Sequence, residues 1–149
     1  MKIFKIIILC FIFVFFNNIY AEDNNEFVIQ FFSEVDINID GVVDKNDIKK
    51  FSKKEFDIMD VNKDNIVSKN EFIQFICNKN CQQKKCNCSN VNNIDDKDEI
   101  LEFWYKLNKN EDDTITYQEK LEYDLENFYI MDINKDGKIT IDEVEAQLY

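Results

Sequence analysis

Four segments of this 149-residue chain carry oxygen-bearing side chains at matching offsets. Counting each segment from its own first residue, positions 1, 3 and 5 are Asp36, Asn38 and Asp40 in the first and Asp60, Asn62 and Asp64 in the second. They are Asn108, Asn110 and Asp112 in the third and Asp132, Asn134 and Asp136 in the fourth. Position 9 is Asp44, Ser68, Thr116 or Thr140, and position 12 is Asp47, Glu71, Glu119 or Glu143. Such a set suits a hard cation that takes six to eight oxygens at about 2.3–2.6 Å, calcium above all. Short side chains at positions 1, 3 and 5 reach inward from a tight turn. Position 7 offers its backbone carbonyl, so Val42, Ile66, Thr114 and Lys138 need no ligating side chain there. Position 9 often acts through water, and a long acid at position 12 closes the shell with both oxygens. Position 6 must turn sharply, which glycine does at least cost. The only two glycines in the chain, Gly41 and Gly137, both fall there.

The residues flanking the segments carry a helical pattern. Four residues before each segment stands an aromatic, Phe32, Phe56, Trp104 or Phe128, and one residue before it an apolar group, Val35, Met59, Leu107 or Met131. That three-residue step puts both on one helix face, where they read as core. Position 8 is β-branched throughout (Val43, Val67, Ile115 and Ile139), which suits a short strand. Helices are expected over about Glu26–Val35, Lys69–Lys79, Asp98–Leu107 and Ile141–Leu148. Between the first and second segments lies only Ile48 to Met59, and between the third and fourth only Lys120 to Met131. These are few residues for an exiting helix, a turn and an entering helix. Ile48, Phe51, Phe56 and Met59 fit one amphipathic helix, and Leu121, Leu125, Phe128 and Met131 fit another. Each stretch is therefore expected to be a single shared helix of about 20 Å with its loops at opposite ends. Loop 2 then pairs with loop 3, placing Val67 against Ile115, and loop 1 with loop 4. A kink near Ser52 and near Asp124 is the alternative, and it would set Val67 against Val43.

With these residues the chain resembles the EF-hand family, the calmodulin superfamily. The fourth segment, Asp132-Ile-Asn134-Lys-Asp136-Gly137 with Glu143 at position 12, meets the calcium-loop pattern in full. The resemblance covers the four loops and their flanks. It implies an all-α fold of four EF-hand helix–loop–helix motifs with short β-bridges between loops. Hands 1–2 occupy about 26–79 and hands 3–4 about 98–149, joined by a cysteine-rich linker over 77–97. It also implies calcium as the ligand of Asp36, Asn38, Asp40, Val42, Asp44 and Asp47 in the first loop. The second set is Asp60, Asn62, Asp64, Ile66, Ser68 and Glu71, and the fourth is Asp132, Asn134, Asp136, Lys138, Thr140 and Glu143. The second loop keeps its oxygens but has Asn65 at position 6, a residue that tolerates the left-handed conformation. In the first, Asp47 replaces the usual glutamate, and its shorter arm weakens calcium or favours magnesium. The third departs most, with Asn108 at position 1 and Asp113 at position 6. Its set of Asn108, Asn110, Asp112, Thr114, Thr116 and Glu119 is read as a weak or structural site.

Composition narrows the function. The chain has 30 acidic and 18 basic residues, net charge −12, which argues against nucleic acid and for cations. Without histidine there is no common general base, no Ser-His or Cys-His nucleophile and no common zinc ligand, so no enzyme is expected. Residues 1–21 read as a secretory signal peptide: Lys2 and Lys5, an apolar run from Ile6 to Phe16, then Ala21 before Glu22-Asp23. A membrane anchor is the rival, but spanning needs roughly 20 apolar residues. No membrane span is expected in the mature chain, 22–149. The C-terminal Glu145-Ala146-Gln147-Leu148-Tyr149 carries no retrieval signal of the Lys-Asp-Glu-Leu type, so export is expected over retention in the endoplasmic reticulum. Cys77, Cys81, Cys86 and Cys88 then read as two disulfides stabilising the central segment, with a four-thiolate zinc site as the rival. Asn87-Cys88-Ser89 is a glycosylation sequon, expected to be unused between cysteines.

The resulting expectation is a secreted or secretory-lumen calcium-binding protein without catalysis, generally similar to secretory EF-hand proteins of the calumenin and reticulocalbin kind. The alternative is a calcium sensor that exposes an aromatic groove to a protein partner. A structural or adhesive domain, stabilised by calcium and disulfides, is the third reading.

Overall fold

A computed structural model describes residues 24–81 and 97–148 of the chain. The expected signal peptide, Cys86, Cys88, the sequon at Asn87 and most of the linker lie outside the described residues. In order come α1 (Asn24–Val35), β1 (Val43–Asp44), α2 (Lys45–Met59), β2 (Ile66–Ser68) and α3 (Lys69–Cys81). Then follow α4 (Lys97–Leu107), β3 (Thr114–Thr116), α5 (Tyr117–Met131), β4 (Lys138–Ile139) and α6 (Ile141–Leu148). Cys77 and Cys81 fall on α3, but the cysteine side chains are outside what is described, as is any bridge or zinc site built from them.

Each loop ends in a reciprocal cap. In loop 2 the N–H of Ser68 donates to Glu71 Oε2 at 2.9 Å, and the N–H of Glu71 donates back to Ser68 Oγ at 3.3 Å. Thr116 with Glu119 and Thr140 with Glu143 repeat this. This is the capping box, which satisfies two backbone donors a helix start would leave orphaned. The acid at position 12 also sits in the first turn, where the helix dipole favours negative charge. The helix before each loop closes on the loop's first residue: the N–H of Asp36, Asp60, Asn108 and Asp132 donates to the carbonyl of Phe32, Phe56, Trp104 and Phe128.

Helices α2 and α5 run unbroken from one loop to the next, as the short spacing predicts. The strands pair accordingly. β2 is antiparallel to β3 with Val67 opposite Ile115, and β1 is antiparallel to β4 with Val43 opposite Ile139. All four β-branched residues have no exposed surface.

The described residues divide into two compact units, one of residues up to Lys53 and from Leu121 onward, the other Lys54–Lys120. In the first, α1 packs on α6, and Val28, Phe31, Val35, Ile48, Phe51, Phe128, Met131 and Val144 join the strand residues in the core. In the second, α3 packs on α4, and Phe72 meets both Phe103 and Trp104 with ring centroids 5.4 Å apart. The units repeat one detail: Lys45 lies 4.8 Å from the Tyr129 ring centroid and Lys69 lies 5.6 Å from that of Tyr105. These are cation–π contacts from position 10 of one loop to the helix entering its partner loop.

Burial adds detail that the spacing did not carry. Phe31 is the fully buried aromatic of α1, on the face of Val28 and Val35, and Phe32, expected as core, is half-buried and packs against the same cluster. On α5, Leu121 and Leu125 are half-buried, while Lys120, Tyr123, Asp124 and Asn127 are buried. On α2, Ser52 and Glu55 are buried. Apolar periodicity cannot locate polar side chains whose burial depends on a partner from another element.

Candidate metal-binding loops

The loops repeat one pattern of exposure. Position 1 (Asp36, Asp60, Asn108 and Asp132) and position 12 (Asp47, Glu71, Glu119 and Glu143) are buried. Position 3 (Asn38, Asn62, Asn110 and Asn134) and position 5 (Asp40, Asp64, Asp112 and Asp136) are exposed. Position 7 (Val42, Ile66, Thr114 and Lys138) is exposed or half-buried. Position 9 (Asp44, Ser68, Thr116 and Thr140) is half-buried.

In the fourth loop, Asp132 accepts the N–H of Asp136 on Oδ1 at 3.1 Å and of Gly137 on Oδ2 at 2.9 Å. Asn134 Oδ1 accepts the N–H of Asp136, and Asp136 Oδ1 accepts the N–H of Lys138. Glu143 spans the loop: Oε1 accepts the N–H of Asn134 at 3.1 Å and Oε2 the N–H and hydroxyl of Thr140 at 3.0 Å. The second loop reproduces the network. Asp60 accepts from Asp64 and Asn65, Asn62 from Asp64, Asp64 from Ile66, and Glu71 from Asn62 and Ser68.

Burial pushes Glu71 and Glu143 upward, but hydrogen bonds outweigh it and hold each below the ordinary glutamate range. The donors are Ser68, Asn62 and Val61 for Glu71, and Asn134, Thr140 and Ile133 for Glu143. They are carboxylates at neutral pH.

The first loop keeps Asp36 on the N–H groups of Asp40 and Gly41, Asn38 on that of Asp40, and Asp40 on that of Val42. Its closure differs. Asp47 Oδ2 accepts the N–H of Asp44, but Oδ1 is buried without a hydrogen-bond partner. Glutamate in the other loops uses that second oxygen to reach position 3. Burial, and then the neighbouring Asp44 charge, push the Asp47 carboxyl above its ordinary range despite the Asp44 N–H that it accepts. Asp44 goes the other way: burial raises it, and the Asp47 and Asn46 N–H groups pull it below.

The third loop keeps Asn110 on Asp112, Asp112 on Thr114, and Glu119 on Asn110 and Thr116. The hydroxyl and N–H of Thr114 hold the Asp112 carboxyl low. Asn108 Oδ1 at position 1 is buried without a hydrogen-bond partner.

Position 6 is left-handed in every loop, with φ +85° at Gly41, +67° at Asn65, +65° at Asp113 and +86° at Gly137. Sequence reasoning missed that position 4 is left-handed too: Ile39, Lys63, Glu111 and Lys135 all lie near φ +60°. No glycine marks that position, so composition carried no signal. It also passed over the spacing of Ser68 with Glu71, Thr116 with Glu119 and Thr140 with Glu143, which is the sequence signature of the caps described above.

Among the described residues no three His, Cys, Asp or Glu side chains stand together closely enough to hold a metal by themselves. The loops' donor sets are mixed: carboxylates with Asn amide oxygens, Ser and Thr hydroxyls and the position-7 carbonyl. An all-oxygen set with short arms at positions 1, 3 and 5 and a long acid at position 12 fits calcium.

Comparison with known proteins bears on two of the loops. The family model described as EF hand matches residues 53–76 and 125–148, which hold the second and fourth loops with their flanking helices. No curated protein and no solved structure matches the chain. Two EF-hand motifs, on the two loops with Asp at position 1 and Glu at position 12, support an EF-hand calcium-binding protein.

Proposed function

We propose that this is a secreted or secretory-lumen calcium-binding protein that acts without catalysis, with four EF-hand loops of graded strength. Its activity is metal binding itself, as a buffer or a calcium-stabilised binding module. The matching backbone networks of the second and fourth loops carry the reading, because they hold Glu71 and Glu143 ionised across their loops. Asp60, Asn62, Asp64, Ser68 and Glu71, and Asp132, Asn134, Asp136, Thr140 and Glu143, would hold the ion with the carbonyls of Ile66 and Lys138. Bound calcium neutralises clustered negative charge and stabilises the folded state by mass action.

The first loop, with Asp47 at closure, is assigned weaker calcium binding and acceptance of magnesium. The third is assigned little affinity. The signal-like residues 1–21 support entry to the secretory pathway, and the cysteines of 77–88 support disulfides there. Among the described residues no helix is long and apolar enough to cross a membrane.

Titration of the oxidised chain 22–149 with calcium by calorimetry, with magnesium as competitor, tests the reading. Two or three sites are expected. No heat at millimolar calcium would overturn it. Calcium-dependent binding of a hydrophobic dye would move the role from buffer to sensor.

A further inference from the structure

The unit that pairs loops 2 and 3 contains a buried ion pair that metal binding does not use. Lys120 Nζ lies 3.0 Å from Glu55 Oε2, and each side chain is only 5% exposed. Glu55 stands five residues before loop 2 on α2, and Lys120 stands one residue after loop 3 on α5. The counterpart positions, five residues before loop 3 and one after loop 2, are Phe103 and Phe72. Their rings meet with centroids 5.4 Å apart. Paired loops therefore bring two such couples together. One couple in this unit is ionic and the other aromatic.

The unit that pairs loops 1 and 4 fills the same four places without charge. They are Asn127 and Ile48 for one couple and Phe31 and Val144 for the other, all buried. The fold thus tolerates neutral residues at these places, and packing alone does not demand an ion pair there.

Each wrong pairing of loop 2 or loop 3 separates Glu55 from Lys120. Loop 2 paired with its copy in a second chain would set Glu55 against Phe72 twice. Loop 3 paired with its copy would set Lys120 against Phe103 twice. Within one chain, loop 2 with loop 4 would set Glu55 against Val144; between copies, loop 2 with loop 1 would set it against Ile48. Between copies, loop 3 with loop 4 would set Lys120 against Asn127. An unpaired buried charge is strongly destabilising, whereas a buried pair is often no better than a well-packed apolar couple. The pair therefore contributes little as an attraction and much as a veto on alternatives.

We propose that Glu55 and Lys120 form a pairing key, which restricts loop 2 to loop 3 and disfavours pairing of loop 2 or loop 3 with its own copy in a second chain. The repeats make such a key useful: the shared helices α2 and α5 keep their own two loops apart, but similar β-branched bridge residues leave loop 2 with loop 4, and pairings between copies, to be excluded.

Four full-length variants test this: E55K, K120E, the exchange E55K/K120E and the neutral E55M/K120M. The readouts are the Val67–Ile115 methyl cross-peak in NMR, the emission of Trp104 and the concentration dependence of molecular mass. E55K and K120E are expected to lose the cross-peak and shift Trp104 emission to the red. The exchange is expected to restore both. The neutral variant is expected to fold but to show several sets of signals and to self-associate as concentration rises. It keeps the test open should the single reversals fail to fold. A neutral variant with one set of signals and unchanged pairing would overturn the proposal, as would an exchange that restores nothing.

Discussion

Asp44 and Asp47 bond to each other in both directions: the N–H of Asp44 donates to Asp47 Oδ2 at 3.2 Å, and the N–H of Asp47 donates to Asp44 Oδ1 at 3.1 Å. The cap of the first loop is complete, yet Asp47 Oδ1 is left buried without a hydrogen-bond partner. An aspartate serves the helix start but stops one methylene short of position 3.

Asp47→Glu is expected to raise calcium affinity at the first loop by on the order of tenfold. A glutamate can give the ion both oxygens where the shorter aspartate gives one, and a gain of about 1.4 kcal/mol is tenfold. Calorimetric titration of the variant beside the parent measures it. Unchanged affinity would mean that arm length does not limit this loop.

Asn108→Asp is expected to bring the third loop into the pattern of the fourth. Asp132 accepts the N–H groups at positions 5 and 6, whereas Asn108 Oδ1 has no partner. Trp104, 1% exposed on α4, accepts the N–H of Asn108 on its carbonyl and reports locally. Calcium is expected to change Trp104 emission at lower concentration in the variant, and an unaltered titration curve would count against the assignment.

Ile39→Asn is expected to stabilise the protein by about 1 kcal/mol, the cost of holding a β-branched residue in the left-handed region. Ile39 has φ +59° and is 88% exposed, so little packing is lost. Urea unfolding checks it. A fall in the midpoint would show that Ile39 makes contacts worth more than its strain.

Without metal, stability is expected to fall in acid as pH drops through the lowered folded pKa values of Glu71 and Glu143. Their folded carboxyls titrate below the unfolded ones, so their stabilisation is full above the unfolded value and vanishes below the folded one. Asp47 has the opposite sign: its contribution is full at low pH and is lost as pH rises through its raised value. E71Q/E143Q should flatten the acid limb of a stability–pH profile in chelator. A profile as steep as the parent's would locate the titration elsewhere.

Much of this molecule is local. The loop positions, the turn at Gly41 and Gly137, the helix spans and the shared helices α2 and α5 follow from spacing, because each depends on residues within a turn or two along the chain. Even the pairing of Val67 with Ile115 was foreseen, since a helix without a turn cannot fold its two end loops together. Other features required partners distant in sequence. Nothing near Lys120 says that it is buried, and nothing near Glu55 says that it is the counter-charge. That Phe31 is buried more completely than Phe32, which packs against the same core, depends on α1 packing on α6. The spare oxygens of Asp47 and Asn108 emerged only when the loops closed around them. Tertiary structure decided these points because the cost of burying a polar group depends on what stands opposite it, and that is a property of two elements at once.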